Sequence, residues 1–575
     1  MKEITNDSNE SKSGNMYSYQ DNNKNQIPPS GALQRGMQGI NPNNKIKDPP
    51  NYNPKIKNDD ISSNTDRNTS DDTVIIHLDL NPPLYWMVFI LFGSIQVIII
   101  LLIGFYYNWD DYYTNPKSFN NNSNNRLDET LYSDEIRNIT GYDVYKTIKN
   151  KYKSFQEVNI MIFLGFGLLR SFLKHHSWTS IILTLIGGML SIELALFTLI
   201  CWSSMFYMDW SYGKFNFQHL LDANFCGGSV IISLGAVLGK LSIPQYIVLI
   251  LFETIFSSLN YTLLRKVLKI IDVGGTMTMH LFGAVFGGIF SLISFVPKNE
   301  RQRIRESRHL GINYKSINYA LIGNLILISF WPSLNTCLIN DDDYDMKKPK
   351  YTGIINTYFA IIGSIISTFC TSPIFNRGKF NIDDILNSCF AGGIAIGGCC
   401  HLIEHYWLSL IIGFLVGGIT SCLYNLLAER LQFYGYHDTA KIFYYHGIPG
   451  FCGGIITTIF VGNLVNVSYV PDKQQSTIYK FIGTFLNYYN YKRLEEYNDD
   501  VYIPGYAAVH FAAIWITIGI AAACGFMAGF SIKFCNCRIL LRYFNDYEFF
   551  DERESEPFPW QNEKVKVVPV YNQEE

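Results

Sequence analysis

Beyond residue 72 the chain alternates long apolar runs with short polar breaks, whereas residues 1–72 are almost wholly polar and rich in Asn, Asp, Lys and Ser. A helix needs about 20 mostly apolar residues to cross the hydrocarbon core of a bilayer. Twelve segments meet that need, near 84–107, 157–174, 179–201, 219–239, 243–264, 273–296, 316–338, 352–374, 383–403, 406–427, 443–465 and 506–533. Backbone polar groups in lipid must be bonded internally, so these segments read as helices rather than open sheets. The pattern predicts an all-α polytopic membrane protein with about 12 transmembrane helices in residues 73–535. Residues 1–72 cannot bury enough apolar surface to offset ordering and read as a disordered Asn-rich tail. Residues 536–575 form a C-terminal tail.

Basic residues of short loops set the orientation. Lys298, Arg301, Arg303, Arg305 and Arg308 crowd one loop, and Arg377 and Lys379 lie two helices later. Both loops are expected in the cytoplasm, with Asp341, Asp342 and Asp343 between them on the outside. Twelve spans then leave both termini cytoplasmic, and the plasma membrane is the default location. The first loop is external and holds two glycosylation sequons, Asn121-Asn122-Ser123 and Asn138-Ile139-Thr140. The first apolar segment begins near Pro83, so no cleavable signal peptide is read ahead of it.

The chain repeats itself. Asp272 precedes His280 by eight residues, and Gly287-Gly288 follows the histidine by seven and eight. Asp438, His446 and Gly453-Gly454 repeat that spacing. Upstream, Phe225-Cys226-Gly227-Gly228 is echoed by Phe390-Ala391-Gly392-Gly393, with 44 and 45 residues from the second glycine to the aspartate. The copies are five helices apart, and an odd offset inverts the second relative to the membrane. Transporters built this way place their site near the midplane, between the halves.

Eight helical residues advance about 12 Å, against about 15 Å for half the hydrocarbon core. With each aspartate at a boundary, His280 and His446 approach the midplane from opposite faces and can meet in one pore. Ionisable groups in a membrane mark pathways or proton relays. A neutral imidazole offers one donor and one acceptor nitrogen, so a linked pair can hold one proton and address a small polar molecule. The alternative is two unrelated packing histidines, which the repeat argues against. Asp272 and Asp438 read as helix caps, a role compatible with shaping the field for a cation at the entrance.

Other residues carry weaker signals. His401 and His405 have a four-residue spacing beside Cys399, Cys400 and Glu404, which suits a metal only if helical; no metal is expected. Glu253 is expected to hydrogen-bond a neighbouring helix or subunit, His510 to pack, and His175-His176 to form a solvated turn. Most of the twelve cysteines fall in or beside apolar runs as small hydrophobes. Cys535 and Cys537 are either palmitoylated or free thiols. Only 17% of residues are charged and the net charge is −3, so nucleic acid is not an expected partner.

The segment Asp272-Val-Gly-Gly-Thr-Met-Thr-Met-His280-Leu-Phe-Gly resembles the signature of the Rh glycoproteins, a branch of the ammonium transporter superfamily. So do His437-Asp438-Thr, His446-Gly-Ile-Pro-Gly450, Leu234-Gly-Ala-Val-Leu-Gly-Lys240, Trp331-Pro-Ser, Asn356-Thr-Tyr358 and Ala391-Gly-Gly393. The resemblance runs from about 84 to 545 and includes an extra first helix. It implies a homotrimer with one pore per subunit, lined by His280 and His446, with Phe225 as the outer member of a phenylalanine gate. Where the pattern expects a second Phe this chain has Leu334, which blocks water but offers no ring face for a cation. Where Rh proteins often carry an acid after the Asn of the fifth helix, Asn260 is followed by Tyr261. The tail from Tyr543 to Tyr547 resembles an acidic cytoplasmic motif that packs against loops or binds partners.

The reading is passive passage of ammonium or ammonia, with deprotonation before NH3 passes the histidines; methylammonium and CO2 are further candidate substrates. No G-x-x-x-x-G-K-[ST] occurs, and no cofactor or enzymatic activity is expected. The alternative is an ammonium sensor or structural assembly protein of the Rh type, for which the long tail leaves room.

Overall fold

Helices without a charged or bulky seam approach one another as closely as their small residues permit. The computed structural model describes residues 82–109, 141–173, 176–207, 213–294, 316–339, 347–467 and 504–534. These are almost wholly helical: α1 (Pro82–Tyr106), α2 (Gly141–Asn159), α3 (Ser177–Tyr207), α4 (Phe217–Val237), α5 (Ile243–Tyr261), α6 (Phe282–Ser294), α7 (Ile317–Thr336), α8 (Lys347–Phe375), α9 (Ile382–Ser388), α10 (Ala391–Ile396), α11 (Tyr406–Phe433), α12 (Ile448–Val467) and α13 (Pro504–Phe534). Helix α2 continues through a π turn, Ile160–Gly165, and a short α segment into a 3-10 turn, Arg170–Phe172. Further π turns extend α5 (Thr262–Val267) and open α6 (Thr276–Leu281) and α12 (Phe443–Gly447). The strands among the described residues are β1 (Tyr107–Trp109) and β2 (Gly213–Phe215), paired in parallel.

Each of the twelve predicted segments contains helical backbone, yet among the described residues eight helices are long and apolar enough to cross a bilayer. One segment departs from a simple span. Residues 383–403 form two short helices, α9 and α10, followed by turns. Interrupted helices survive at membrane depth only where other protein groups bond the freed backbone. Here Thr276 Oγ1 donates to the Ile394 carbonyl at 2.7 Å, Asn335 Nδ2 to Gly393 at 2.9 Å and Asn356 Nδ2 to Cys400 at 2.8 Å. Small residues bring the surrounding helices close enough. A Cβ at Gly413 of α11 would lie 1.9 Å from the Ala360 carbonyl oxygen of α8.

The repeat read from sequence has a structural counterpart. Gly274 and Ala440 stand two residues after their aspartates, and each donates its backbone N–H to the other copy. Gly274 N–H reaches the Gly397 carbonyl at 2.8 Å, and Ala440 N–H the Gly235 carbonyl at 2.9 Å. One residue further on, both copies turn left-handed, Gly275 at φ 68° and Lys441 at φ 55°. Glycine does this freely, whereas a lysine gives up about 1 kcal/mol. Lys441 is held there by its ammonium, which ion-pairs with buried Asp383 and donates to Tyr424 Oη at 2.7 Å. Burial pushes this ammonium down, but Asp383 and Tyr424 hold it above the usual lysine range.

The two tails, the sequons, the basic residues 298–308, Asp341 to Asp343, His175, Cys535 and Cys537 lie outside the described residues.

Asp383→Ala strands the Lys441 charge. It is expected to lower the thermal midpoint of the detergent-solubilised protein by the equivalent of roughly 2 kcal/mol, less than for a fully enclosed pair because Lys441 keeps some exposure. Adding Lys441→Gly removes both the charge and the left-handed strain and should recover most of the loss. Equal midpoints for wild type and Asp383→Ala would contradict this account of Lys441.

Candidate functional site

Each predicted histidine is delivered by the same local device. Asp272 Oδ2 accepts from the N–H groups of Met277 (3.1 Å) and Thr278 (2.8 Å) and from Thr278 Oγ1 (2.9 Å). Asp438 Oδ2 accepts from Phe443 N–H at 2.9 Å. These bonds satisfy donors that a helix start leaves open. The aspartates are therefore caps folded over their own first turns. Asp272 is fully enclosed. Burial pushes both carboxyls up from their ordinary range, against the bonds they receive. The straight eight-residue α-helix assumed from sequence is replaced by a left-handed residue and a π turn, which wrap the aspartate over the helix start.

The device brings the two histidines together. Their Nδ1 atoms are 3.2 Å apart, the ring centroids 5.3 Å, and the planes within 9° of parallel. Both rings are buried. One Nδ1 must donate and the other accept, so a neutral pair leaves one bare Nε2 acceptor and one Nε2–H donor. His280 Nε2 has no hydrogen-bond partner in the protein.

Aromatic rings enclose the pair. Trp331 lies 5.6 Å from His280 and nearly parallel to it, and Phe390 stacks on Trp331 at 4.9 Å. Phe166 and Phe390 stand 5.8 and 6.1 Å from His446. Trp331 and Phe390 belong to stretches the sequence singles out, but nothing in their spacing announced contact with the histidines. Phe166 carried no signal at all.

The pattern of the Ammonium Transporter Family matches residues 142–542. The chain belongs to the ammonium transporter family. Its curated relatives place it in the Rh branch. It is 30% identical over 388 residues to the ammonium transporter Rh type C of Canis lupus familiaris, covering 66% of this chain and 77% of that one. It is 32% identical over 339 residues to the Rh type B transporter of Xenopus tropicalis, covering 58% and 70%. Among solved structures, Nitrosomonas europaea Rh50 aligns with TM-score 0.53 at 23% identity, covering 71% of this chain and 93% of the other. The Mep2 structure of Saccharomyces cerevisiae aligns with TM-score 0.51 at 14% identity over 72% and 93%. The fold is thus the ammonium-transporter fold, and its members are transporters and channels rather than enzymes.

In this Rh-branch protein Phe225 on α4 and Leu334 on α7 are both buried in one apolar core, Leu334 one turn beyond Trp331. The Phe225 ring lies 6.3 Å from Tyr261, and a Cβ on Gly275 would meet it at 2.7 Å. Tyr261, standing where an acid was expected, donates its hydroxyl to Asp222 Oδ1 at 2.7 Å. The carboxylate near Phe225 thus comes from α4, one turn before the phenylalanine, and sequence reading missed it. Lys266 Nζ lies 3.8 Å from its other oxygen.

His401 lies in a turn and His405 is the extended residue just before α11, so they do not share one helix face and the helical premise for a metal pair fails. His510 does more than pack: its Nε2 accepts from Ile271 N–H at 3.3 Å, tying α13 to the residue before Asp272. Glu253 bonds a neighbouring helix as expected, accepting from Ser233 Oγ.

Gly274→Ala would set a methyl group 2.3 Å from Asn335 Oδ1 and 2.8 Å from Gly397 Cα, whereas Gly167→Ala meets nothing nearer than 3.9 Å. The first variant is expected to lose most of its monodisperse fraction in size-exclusion chromatography and the second to keep it. Equal elution profiles would argue against tight docking at Gly274.

Proposed function

We propose that the chain passively conducts ammonia past His280 and His446, with ammonium losing its proton on the outer side. The observation that carries this reading is the joined, buried imidazole pair with a His280 Nε2 left unbonded by protein. A pair that shares one proton can both accept from and donate to ammonia, which has three hydrogens and one lone pair. A hydrated cation would have to shed water among apolar rings, where nothing replaces its hydration. Phe225 and Leu334 act as the constriction that excludes water. Leu334 supplies bulk without a ring face, so cation recognition there falls to Phe225 and Tyr261 together. Asp272 and Asp438 act chiefly by fixing the π turns that aim the rings.

The same reading extends to assembly and place. Exposed apolar residues such as Leu321, Ile322 and Leu325 on α7 and Ile411, Phe414 and Leu415 on α11 suit lipid or neighbouring copies. A homotrimer in the plasma membrane, with both termini in the cytoplasm, accommodates these faces. The tails, 1–72 and 536–575, are then free to meet cytoplasmic partners. Methylammonium is the larger congener and CO2 the uncharged competitor to test beside ammonia.

The test is ammonia-driven alkalinisation of proteoliposomes followed with an entrapped pH dye. Wild type should exceed empty liposomes severalfold, and His280→Ala and His446→Ala should each lose at least nine-tenths of that gain while eluting normally. Variants that keep wild-type rates would remove the histidine pair from the pathway.

A further inference from the structure

Arg170 is a buried charge that the pore reading does not use. It stands in the 3-10 turn at the end of α2 and is 3% exposed. Its Nη1 donates to the Ile231 carbonyl, and its Nη2 lies 3.5 Å from the Ile232 carbonyl, both on α4. No carboxylate comes within ion-pair distance of it among the described residues; Asp438 acts on it only through space. Its Cζ sits 5.5 Å over the Phe166 ring, and that ring in turn stands 5.8 Å from His446. A Cβ on Gly235 would meet both Arg170 Cζ, at 3.0 Å, and Ile442 Cγ2, at 2.9 Å. Ile442 is four residues before His446. Arg170 is thus wedged between the end of α4 and the segment running from Asp438 to His446, with one ring between it and the histidine. It is within electrostatic reach of His446.

A guanidinium cannot shed its proton in a protein. Carbonyl dipoles stabilise the charge but do not cancel it, since a dipole carries no net charge. Any cation at His446 therefore meets a fixed positive charge on the Asp438 side, and neutral ammonia does not. At an effective dielectric constant near 20 and about 10 Å, the repulsion lowers cation occupancy on the order of tenfold. Fixed arginines serve as barriers to cations and protons in other narrow pores.

We propose, resting on the transport reading above, that Arg170 is a specificity-determining residue that holds the inner half of the pore closed to cations, so that the net species moved is NH3. The competing role is purely structural, a cation tying the 3-10 turn to carbonyls of the penultimate turn of α4. Electrical readout separates the two.

The experiment applies ammonium concentration jumps to full-length protein in liposomes, recording dye alkalinisation and, on a solid-supported membrane, current. Wild type should alkalinise the lumen without ammonium-dependent current, and Arg170→Lys should match it. Arg170→Met should keep flux within about threefold and gain an ammonium current roughly tenfold above the wild-type background. Arg170→Gln, which keeps donors for the α4 carbonyls without the charge, should do the same and serves if the methionine variant is not recovered folded. Neutral variants that keep flux yet carry no more current than wild type overturn the barrier, as does a wild-type current matching its flux. Absence of alkalinisation in wild type overturns the transport reading itself and the barrier with it. A current in wild type that matches its flux overturns only the barrier and leaves the transport reading standing.

Discussion

Everything in this molecule turns on holding two imidazoles edge to edge at 3.2 Å inside an apolar shell. Each ring alone would be a buried polar group with an unmet bond, which costs free energy wherever water cannot reach. Together they satisfy each other at Nδ1, and His280 Nε2 is left without a bond from the protein. The contact tolerates little misplacement, because the two rings ride on different helices, α6 and α12, whose starts belong to opposite halves of the repeat.

The repeat solves that alignment problem reciprocally. Gly274 of one copy docks on the Gly397 carbonyl of the other, and Ala440 docks on Gly235. Each histidine is therefore registered against the half it does not belong to. Broken backbone in a bilayer is tolerated only where protein bonds it, so the same contacts that align the rings also stabilise the interrupted segment α9–α10. The asymmetries between the copies mark where the chain departs from its own pattern. Gly275 becomes Lys441, which is anchored by Asp383, and Phe225 finds its counterpart in Phe390, stacked on Trp331 beside the histidines rather than on a tyrosine.

Much of this is legible in the sequence. Apolar runs long enough to cross a bilayer locate the helices, because its thickness sets a minimum length for all of them. The equal spacing from Asp272 to His280 and from Asp438 to His446 is enough to pair the two histidines. What periodicity cannot show is the backbone between them. A left-handed residue and a π turn have no hydrophobic period, so the aspartates read as caps of straight helices when each is folded over a π turn. The partner of Tyr261 is equally hidden, since Asp222 lies 39 residues away on another helix and only tertiary packing joins them. Arg170 does carry a signal, a charge inside an apolar run, but near the end of a span such a charge reads as a residue reaching for the interface.

The central claim is that the two histidines act as one unit in ammonia passage. A double-mutant comparison of alkalinisation rates tests it most directly, with His280→Ala, His446→Ala and the combined variant reconstituted at equal density. Residues that act as a unit are non-additive. The account predicts that the combined variant loses no more than either single variant. Losses that multiply would mean two independent sites and would contradict it.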